Sequence, residues 1–244
     1  MEKCLTCGGA VVLINNNVYK CLYCDNEYNA GTSSSAPTMR PKTGNNDSGV
    51  DVFDSNIGGV LEITWADSTA IHSGSGYIIS DDGYAITNTH VVTRDNGENV
   101  GKVTVRVCGE ETSATVIRLG DTQHGLGKGV DLALIKLAKM PKGAKKLSFA
   151  DFGSVRNGQR VFVIGNSLGY GTCITSGIVS DKLRNVNGKM LLMTDCAVNG
   201  GNSGGPMFDE KGLIIGTIVS GITGAEGMNF AIPANTVIDF INKK

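Results

Sequence analysis

Proline and charged side chains are both scarce in this chain of 244 residues. Five prolines exclude a collagen-like chain and a proline-rich disordered one. Asp, Glu, Lys and Arg make up 18% of the residues and the net charge is −1. A general electrostatic attraction to nucleic acid or to an anionic membrane is therefore not expected.

Long hydrophobic runs are missing as well, most clearly near the amino terminus. The first apolar run, at residues 10–14, has five residues. The hydrophobic part of a signal peptide needs about 7–15 residues and a membrane helix about 18. No later run reaches that length. The sequence therefore predicts a protein without a membrane segment, located in the cytoplasm, where thiols stay reduced.

Glycine, by contrast, is abundant, with 34 residues or roughly twice its ordinary share. From Ile57 onward it interrupts short runs of β-branched residues, a pattern typical of a turn-rich β protein. Strands are predicted in two runs, at 59–65, 76–80, 84–88, 102–107, 114–119 and 131–137, then at 160–164, 174–180, 190–194, 206–208, 213–220 and 228–232. Only residues 233–242 show helical spacing of apolar residues. The expected fold class is all-β, with two six-stranded barrels in tandem and a carboxyl-terminal helix.

The chain divides into three predicted segments. Residues 1–29 form a small domain that contains four cysteines. Residues 30–54 are rich in Ser, Asn, Gly and Pro and predict a flexible linker, because this composition cannot form a hydrophobic core. Residues 55–244 form the β domain, with barrel one at about 55–140, barrel two at about 158–232 and the helix at 233–242.

Four of the seven cysteines form two Cys-x-x-Cys pairs, Cys4 with Cys7 and Cys21 with Cys24. Two such turns supply four thiolates to one tetrahedral Zn²⁺ ion, and so short a segment needs a metal to fold. The pattern predicts a structural zinc ribbon; two redox pairs, disulfides or an iron centre are the alternatives. The segment lacks a basic cluster, so we expect the ribbon to dock a protein partner or to be purely structural. The other three cysteines are expected to be free thiols.

A glycine-rich segment at 200–206, Gly-Gly-Asn-Ser-Gly-Gly-Pro, places Ser203 on a tight turn. Glycines let neighbouring N–H groups face one point, as an oxyanion hole requires. Such turns are common in β proteins, so a nucleophilic serine also needs a base and an orienting carboxylate.

His90 ends an apolar strand, and Asp131 opens another, where an unpaired aspartate would be costly to bury. A histidine partner would remove that cost and fix the imidazole tautomer. Taken alone, His90 also fits a hydrogen-bonded core histidine, and the residues by themselves leave this open. The rival candidates on composition are His72, His124, Asp121 and Asp195.

Five blocks of sequence, taken together and in order, resemble the HtrA/Deg family of trypsin-like serine proteases over about residues 57–240. The blocks are Gly-Ser-Gly-Tyr-Ile-Ile at 74–79, Asn-Thr-His-Val-Val at 88–92, Asp-Leu-Ala-Leu-Ile-Lys at 131–136, Thr-Asp at 194–195 through Gly-Gly-Asn-Ser-Gly-Gly-Pro at 200–206, and Asn-Phe-Ala-Ile-Pro at 229–233. The resemblance implies a chymotrypsin-like fold with the active site between the barrels, and serine endopeptidase activity on protein or peptide substrates. It also implies His90 as general base, Asp131 as its orienting carboxylate and Ser203 as nucleophile. The oxyanion hole would comprise Gly201, Asn202 and Ser203, with no cofactor needed for catalysis.

The same resemblance suggests where substrate binds. Val198 and Ile222 would line the pocket for the residue before the cleaved bond. The strand that would pair with the substrate backbone contains Thr217, Ile218, Val219 and Ser220. An apolar lining without an acidic residue at Ala197 favours small or medium aliphatic residues, such as Val or Ala, over Lys or Arg.

The sequence also departs from the family pattern. It ends at Lys244, so no PDZ domain is expected, and residues 122–130 look like an insertion before the catalytic aspartate. Gly200 stands where relatives often carry proline, so we expect activity to depend on activation or assembly. Family members commonly form trimers, which implies a homo-oligomer. The alternative function is a non-proteolytic, chaperone-like module that binds peptides in the same cleft, although it would not need an intact triad.

Overall fold

Two units divide the chain, Met1–Asn46 and Asp47–Lys244. The structure is a computed structural model, and it describes residues 11–15, 18–21, 27–29, 48–120, 129–221 and 227–243. No helix within these ranges is both long and apolar enough to cross a membrane.

The first unit contains an antiparallel three-stranded sheet. Its strands, in spatial order, are β1 (Val11–Asn15), β2 (Val18–Cys21) and β3 (Glu27–Asn29). The side chains of Val12 and Leu13 in β1 are 38% and 59% exposed, so these two apolar residues are not buried. Cys21 is the last residue of β2. The other three predicted zinc ligands, Cys4, Cys7 and Cys24, lie outside the described residues.

Helix α1 (Ser48–Asn56) begins the second unit. The linker predicted over 30–54 therefore extends too far, because residues 48–54 are helical. Two residues anchor this short helix: Val52 is buried, and Phe53 packs on the same hydrophobic cluster. The polar composition of residues 48–56 did not indicate a helix in the sequence. A helix this short is stabilised by the packing of its buried residues and not by the helix propensity of its sequence.

Barrel one is a closed antiparallel sheet with the spatial order β4-β5-β6-β9-β8-β7. Its strands are β4 (Val60–Ala66), β5 (Ile71–Ile78), β6 (Tyr84–Thr87), β7 (Lys102–Val107), β8 (Glu110–Leu119) and β9 (Ala133–Leu137). Strand β7 shows the period of two that closes such a barrel: Val103, Val105 and Val107 are buried and the residues between them are exposed.

Barrel two is also closed and antiparallel, with the order β10-β11-β12-β15-β14-β13. Its strands are β10 (Arg160–Asn166), β11 (Thr172–Val186), β12 (Lys189–Thr194), β13 (Pro206–Phe208), β14 (Ile214–Gly221) and β15 (Asn229–Pro233), and helix α2 (Ala234–Asn242) follows. The prediction of two six-stranded barrels followed by a helix is confirmed.

A shared hydrophobic cluster joins the two barrels. Tyr77 and Leu132 from barrel one pack in it with Phe162 and Phe208 from barrel two. The Tyr77 hydroxyl is hydrogen-bonded to the Thr217 hydroxyl across 2.7 Å. Burial raises the pKa of Tyr77, so this hydroxyl stays protonated. The two barrels are thus fixed against each other by buried contacts.

Candidate active site

His90 lies on a short 3₁₀ turn, Thr89–Val91, directly after β6. Three hydrogen bonds from side chains hold the backbone around it. Asn88 Nδ2 donates to the Asp131 carbonyl at 2.7 Å and Thr89 Oγ1 to the Leu132 carbonyl at 2.8 Å. Trp65 Nε1 donates to the carbonyl of Val91 at 2.8 Å. The turn is therefore tied to the segment that carries Asp131.

Asp131 is 4% exposed and uses both carboxylate oxygens on His90. Its Oδ2 lies 2.6 Å from His90 Nδ1, and its Oδ1 accepts the backbone N–H of His90 at 3.1 Å. A carboxylate can only accept, so Nδ1 carries the proton and Nε2 is left as the acceptor. The His90 side chain is 40% exposed. Its free nitrogen can therefore take a proton from a group in the cleft.

The rival residues behave differently where the structure describes them. His72 pairs with Asp67 at 3.1 Å and stacks on Trp65. Asp195 Oδ1 accepts the backbone N–H of Ile178 at 2.6 Å, a structural role in barrel two. Asp121 and His124 lie outside the described residues, as does most of the predicted insertion at 122–130.

Ser203 lies on the turn before β13, against the loop that carries His90. A Cβ placed on the next residue, Gly204, would lie 2.3 Å from the Ser75 carbonyl and 3.0 Å from the Asn88 nitrogen. Only glycine permits this approach, and Gly204 also has a φ of +84°. The Ser203 carbonyl accepts the Ser75 N–H at 2.8 Å. These contacts bring Ser203 beside the end of β6.

The Ser203 hydroxyl donates to the Val219 carbonyl at 3.4 Å. No hydrogen bond joins it to His90 in the part of the chain that the structure describes. A separation of 3.4 Å is long for an O–H···O bond, so the hydroxyl is weakly held. The hydroxyl must give up this bond before its proton can pass to His90.

The peptide groups around Gly201 are fixed so that two N–H groups remain free. The Gly200 carbonyl accepts the Leu168 N–H at 2.6 Å. Since the C=O and N–H of one trans peptide point in opposite directions, the Gly201 N–H faces away from Leu168. The Gly201 carbonyl accepts the Ser75 hydroxyl at 2.6 Å. Neither the Gly201 nor the Ser203 N–H has a hydrogen-bond partner among the described residues, as an oxyanion hole requires.

Asn202 differs from its two neighbours in the predicted oxyanion hole. Its N–H donates to the Asn199 carbonyl at 3.1 Å, and its carbonyl accepts the Gly205 N–H at 2.9 Å. Its backbone donor is therefore already used, and the prediction of Asn202 as an oxyanion donor does not fit this geometry. Gly201 and Ser203 do fit it.

Ser75 is a residue whose role the sequence did not reveal. It is fully buried, and its hydroxyl accepts the Asn166 N–H at 2.8 Å while donating to Gly201. The backbone N–H of Ser75 donates to the Ser203 carbonyl. The only sequence signal was a serine between two glycines, Gly74 and Gly76.

The predicted substrate-binding residues fall into three groups. Thr217 and Ile218 are fully buried. The Thr217 hydroxyl is hydrogen-bonded to that of Tyr77, and Ile218 packs in the core of barrel two. The predicted pairing with substrate concerns the backbone of these two residues. Val198 and Val219 are half-buried. The Val219 carbonyl accepts the Ser203 hydroxyl, and Val198 packs against the core of barrel two. For Ser220 only the backbone is described, and Ile222 lies outside the described residues.

The backbone of β14 has one edge open to a peptide beyond Ile218. Strand β13 covers this edge only as far as the pair Pro206 and Thr217. Ile218 exchanges backbone hydrogen bonds with Gly204 and Gly205 at 2.8 and 2.9 Å. Beyond it, β14 pairs with β15 on its other side. The edge that can add a substrate strand therefore starts at Val219, two residues later than predicted.

The cysteines of the second unit are free thiols, as expected for Cys108, Cys173 and Cys196. Cys196 is the one nearest to Ser203 in sequence, and it is fully buried. Burial raises the pKa of its thiol to about 11. The thiol therefore stays protonated and is a poor nucleophile.

Comparison with known proteins gives a consistent result. The family described as trypsin-like peptidase domain matches residues 74–216. A probable periplasmic serine endoprotease, DegP-like, from Brucella suis biovar 1 is 38% identical over 183 residues, which cover 71% of this chain and 34% of the relative. A relative of the same description from Chlamydia trachomatis serovar D is 39% identical over 180 residues, 68% of this chain and 33% of the relative. The chain thus spans about a third of the length of these relatives.

Solved structures agree on the fold. The HtrA-type protease AlgW, solved with a tripeptide, superimposes with a TM-score of 0.67 at 28% identity, over 79% of this chain and 62% of that one. The serine endoprotease from Yersinia pestis gives a TM-score of 0.66 at 24% identity, over 85% of this chain and 66% of that one.

The names of the curated relatives correct one expectation. They are described as periplasmic, so the prediction of a cytoplasmic location is wrong. That prediction rested on the lack of an apolar run long enough for a signal peptide or a membrane helix. Such a run is not a property of the catalytic fold.

Proposed function

This chain belongs to the trypsin-like serine peptidases, with a domain of the HtrA/DegP type, and from this premise we propose that it is a serine endopeptidase acting on proteins. The observation that carries the proposal is the pair of hydrogen bonds that His90 donates to buried Asp131. A binding module would gain nothing from this arrangement, whereas a general base needs it to hold its tautomer.

The proposed mechanism assigns one role to each residue. Ser203 attacks the peptide carbonyl while His90 Nε2 takes the hydroxyl proton. Asp131 stabilises the resulting imidazolium. The N–H groups of Gly201 and Ser203 bind the oxyanion of the tetrahedral intermediate. His90 then protonates the leaving amine, and water hydrolyses the acyl-enzyme.

The Ser203 hydroxyl must move before the first step. Its bond to the Val219 carbonyl is 3.4 Å long, so giving it up costs little compared with a well-formed hydrogen bond. A substrate strand added at the edge of β14 starting at Val219 would lie beside this carbonyl. Substrate binding and release of the hydroxyl towards His90 are then favoured together.

For specificity, we propose cleavage after small or medium aliphatic residues such as Val or Ala. The half-buried side chain of Val198 is apolar and packs against the core of barrel two, five residues before the nucleophile in sequence. Ala197 supplies no carboxylate that could pair with a basic side chain. An apolar pocket discriminates modestly, since one methylene is worth roughly a 10- to 200-fold difference in rate.

The experiment is a peptide-library digest with the purified full chain, combined with labelling by a fluorophosphonate and mapping of the labelled residue. We expect label on Ser203 and cuts after Val or Ala. Absence of both label and cleavage would favour the non-proteolytic peptide-binding module. Cuts mainly after Lys or Arg would leave the peptidase in place but overturn the aliphatic pocket.

Replacing Gly201 by alanine tests the oxyanion hole. The new Cβ would lie 2.1 Å from the Asn166 carbonyl oxygen, and the φ of +91° is strained for any other residue. The backbone must shift and carry the N–H with it. Loss of one oxyanion donor lowers kcat by about 10²- to 10³-fold. We therefore expect Gly201→Ala to lower kcat by about 100-fold, measured by steady-state peptide hydrolysis.

Gly158→Ala is the matched control for this substitution. Gly158 has a similar φ, +81°, but its Cβ would meet nothing within 4 Å. Strain alone would lower the stability of both variants, whereas a role in the oxyanion hole lowers kcat in Gly201→Ala alone. Equal kcat values in the two variants would contradict the assignment.

We also propose that the first unit binds one structural Zn²⁺ through Cys4, Cys7, Cys21 and Cys24. The described part of the unit fits this proposal, because Val12 and Leu13 on its three short strands are exposed and do not contribute to a core. When bound, the metal supplies folding energy and no catalytic step.

We propose that the ribbon docks a protein partner and that the protein forms a homotrimer, which sedimentation equilibrium tests.

Metal analysis of the full chain tests the zinc proposal. We expect about one zinc per chain, as a single Cys₄ site requires. Cys21→Ser should lose the metal while keeping peptide hydrolysis. Cys173→Ser, at an exposed cysteine of the second unit, is the control and should keep it. A wild-type chain purified without chelator that contains no zinc would contradict the proposal.

A further inference from the structure

The oxyanion hole depends on a loop of barrel two that we term the support loop, residues 167–171 between β10 and β11. It contacts the segment before Ser203 twice: Leu168 N–H donates to the Gly200 carbonyl at 2.6 Å, and Asn199 Nδ2 donates to Ser167 Oγ at 3.3 Å. The first contact sets the direction of the Gly201 N–H. The position of the support loop is therefore transmitted to an oxyanion donor.

The support loop is poorly anchored by its own side chains. Leu168 is 62% exposed and Tyr170 is 86% exposed. Leu168 also has a φ of +54°, the left-handed region that is unfavourable for a residue with a Cβ. A segment with few buried contacts and a strained residue opens easily unless something else holds it.

Two polar contacts at the end of the support loop anchor it. The Gly171 N–H donates to Asn166 Oδ1 at 2.9 Å, which closes the loop on the end of β10. Thr172, the next residue, donates its N–H and its hydroxyl to Glu62 Oε1 at 3.0 and 2.8 Å. Glu62 belongs to β4, so this second anchor comes from barrel one.

Glu62 is directed at the support loop and not at its own barrel. Its neighbours Leu61 and Ile63 are fully buried in the barrel core, so alternation along β4 turns Glu62 to the outside. Its cross-strand partner Arg106 pairs instead with Glu111 at 2.9 Å. Within the described residues, the side-chain hydrogen bonds of Glu62 go to Thr172 alone.

We infer that Glu62 is a positioning residue for the oxyanion hole. It acts through Thr172, the support loop and Leu168 on the peptide group that carries the Gly201 N–H. One carboxylate oxygen accepts two hydrogen bonds, and bonds to an ionised acceptor are stronger than neutral ones. The inference rests on the proposed peptidase function, and it makes the oxyanion hole dependent on the packing of both barrels.

The test compares Glu62→Ala, Glu62→Gln and Glu111→Ala in the full chain. For each we would measure kcat and KM on one fluorogenic peptide, the rate of fluorophosphonate labelling and the thermal midpoint. We expect Glu62→Ala to lower kcat and the labelling rate by about tenfold, less than direct loss of a donor, with KM within about twofold. Glu62→Gln keeps an acceptor oxygen and should stay within about threefold of wild type. Glu111→Ala, which breaks a surface ion pair on the same barrel, should match wild type.

Thr172→Val keeps the test decisive should Glu62→Ala fold poorly. It removes the hydroxyl donor but leaves the backbone donor, so an intermediate loss of about threefold in kcat is expected, as roughly half the hydrogen-bonded contact remains. Wild-type kcat in both Glu62→Ala and Thr172→Val would overturn the inference, as would an effect on KM alone. Equal losses in Glu62→Gln and Glu62→Ala would also overturn it. A wild-type chain that neither hydrolyses peptide nor takes up label would instead refute the proposed function, and the inference with it.

Discussion

Replacing Ser203 by alanine is expected to lower kcat for peptide hydrolysis by about 10⁶-fold, the size of effect measured for the nucleophile of another serine protease. Alanine removes the attacking oxygen, so no acyl-enzyme can form. The fold should persist, because Ser203 is anchored by its backbone: its carbonyl accepts the Ser75 N–H at 2.8 Å. The hydroxyl contributes only the 3.4 Å bond to Val219. A stopped assay with a fluorogenic peptide, run over days, measures the loss.

Ser154→Ala is the matched control for this prediction. Ser154 also bears a hydroxyl hydrogen-bonded to a backbone carbonyl, that of Asp151 at 2.7 Å, but in an exposed turn of barrel two. It should retain wild-type kcat. Residual activity in Ser203→Ala above about one thousandth of wild type would assign the nucleophile elsewhere, because the binding and oxyanion contributions that survive are small in absolute rate.

The sequence revealed those parts of the site that depend on neighbouring residues. Ser203 stands among glycines, His90 closes an apolar strand and Asp131 opens one, and each pattern is visible within ten residues. The strands of both barrels were visible for the same reason, since alternation and turn residues are local signals. Strand β7 was predicted with its observed bounds, Lys102–Val107.

Apart from the His90, Asp131 and Ser203 arrangement that the family resemblance implied, long-range contacts could not be predicted. Ser75 reaches Gly201 across 126 positions of sequence, and Glu62 reaches Thr172 across 110. The packing of the two barrels decides which polar side chain contacts which backbone group. No local sequence pattern indicates these contacts. The burial of Thr217 has the same origin, since its partner is Tyr77 in the other barrel.

Irregular pairing explains the largest error in a strand boundary. Strand β11 was predicted to end at residue 180 but continues to Val186. Its pairing with β12 shifts register twice, between Val179 and Asp181 and between Asp181 and Arg184. Bulges break the alternation of apolar and polar residues by which a strand is recognised.

Replacing Asp131 by asparagine is expected to lower kcat by about 10⁴-fold at neutral pH, as the equivalent change does in trypsin. The two oxygens of Asp131 accept from two donors on His90, the backbone N–H at 3.1 Å and Nδ1 at 2.6 Å. Asparagine has a single acceptor oxygen. If that oxygen keeps the backbone N–H, the amide NH₂ faces Nδ1 and forces the proton onto Nε2. His90 can then no longer accept the proton of Ser203, and at 4% exposure no water can substitute at the buried side chain.

Asp195→Asn distinguishes this loss from a general effect of removing a carboxylate. Asp195 was the rival candidate in sequence, and its Oδ1 accepts the Ile178 N–H at 2.6 Å, a bond that asparagine can keep. Its kcat should stay within a few-fold of wild type, as expected for a site that touches no reacting atom. Circular dichroism should show both variants folded, since each substitution preserves volume. A 10⁴-fold loss in Asp195→Asn with an active Asp131→Asn would reverse the assignment of the orienting carboxylate. We expect the large loss of kcat in Asp131→Asn alone, because only at position 131 do two donors, the His90 backbone N–H and Nδ1–H, compete for the single acceptor oxygen of asparagine. Asp131 is then the residue that fixes the tautomer of His90.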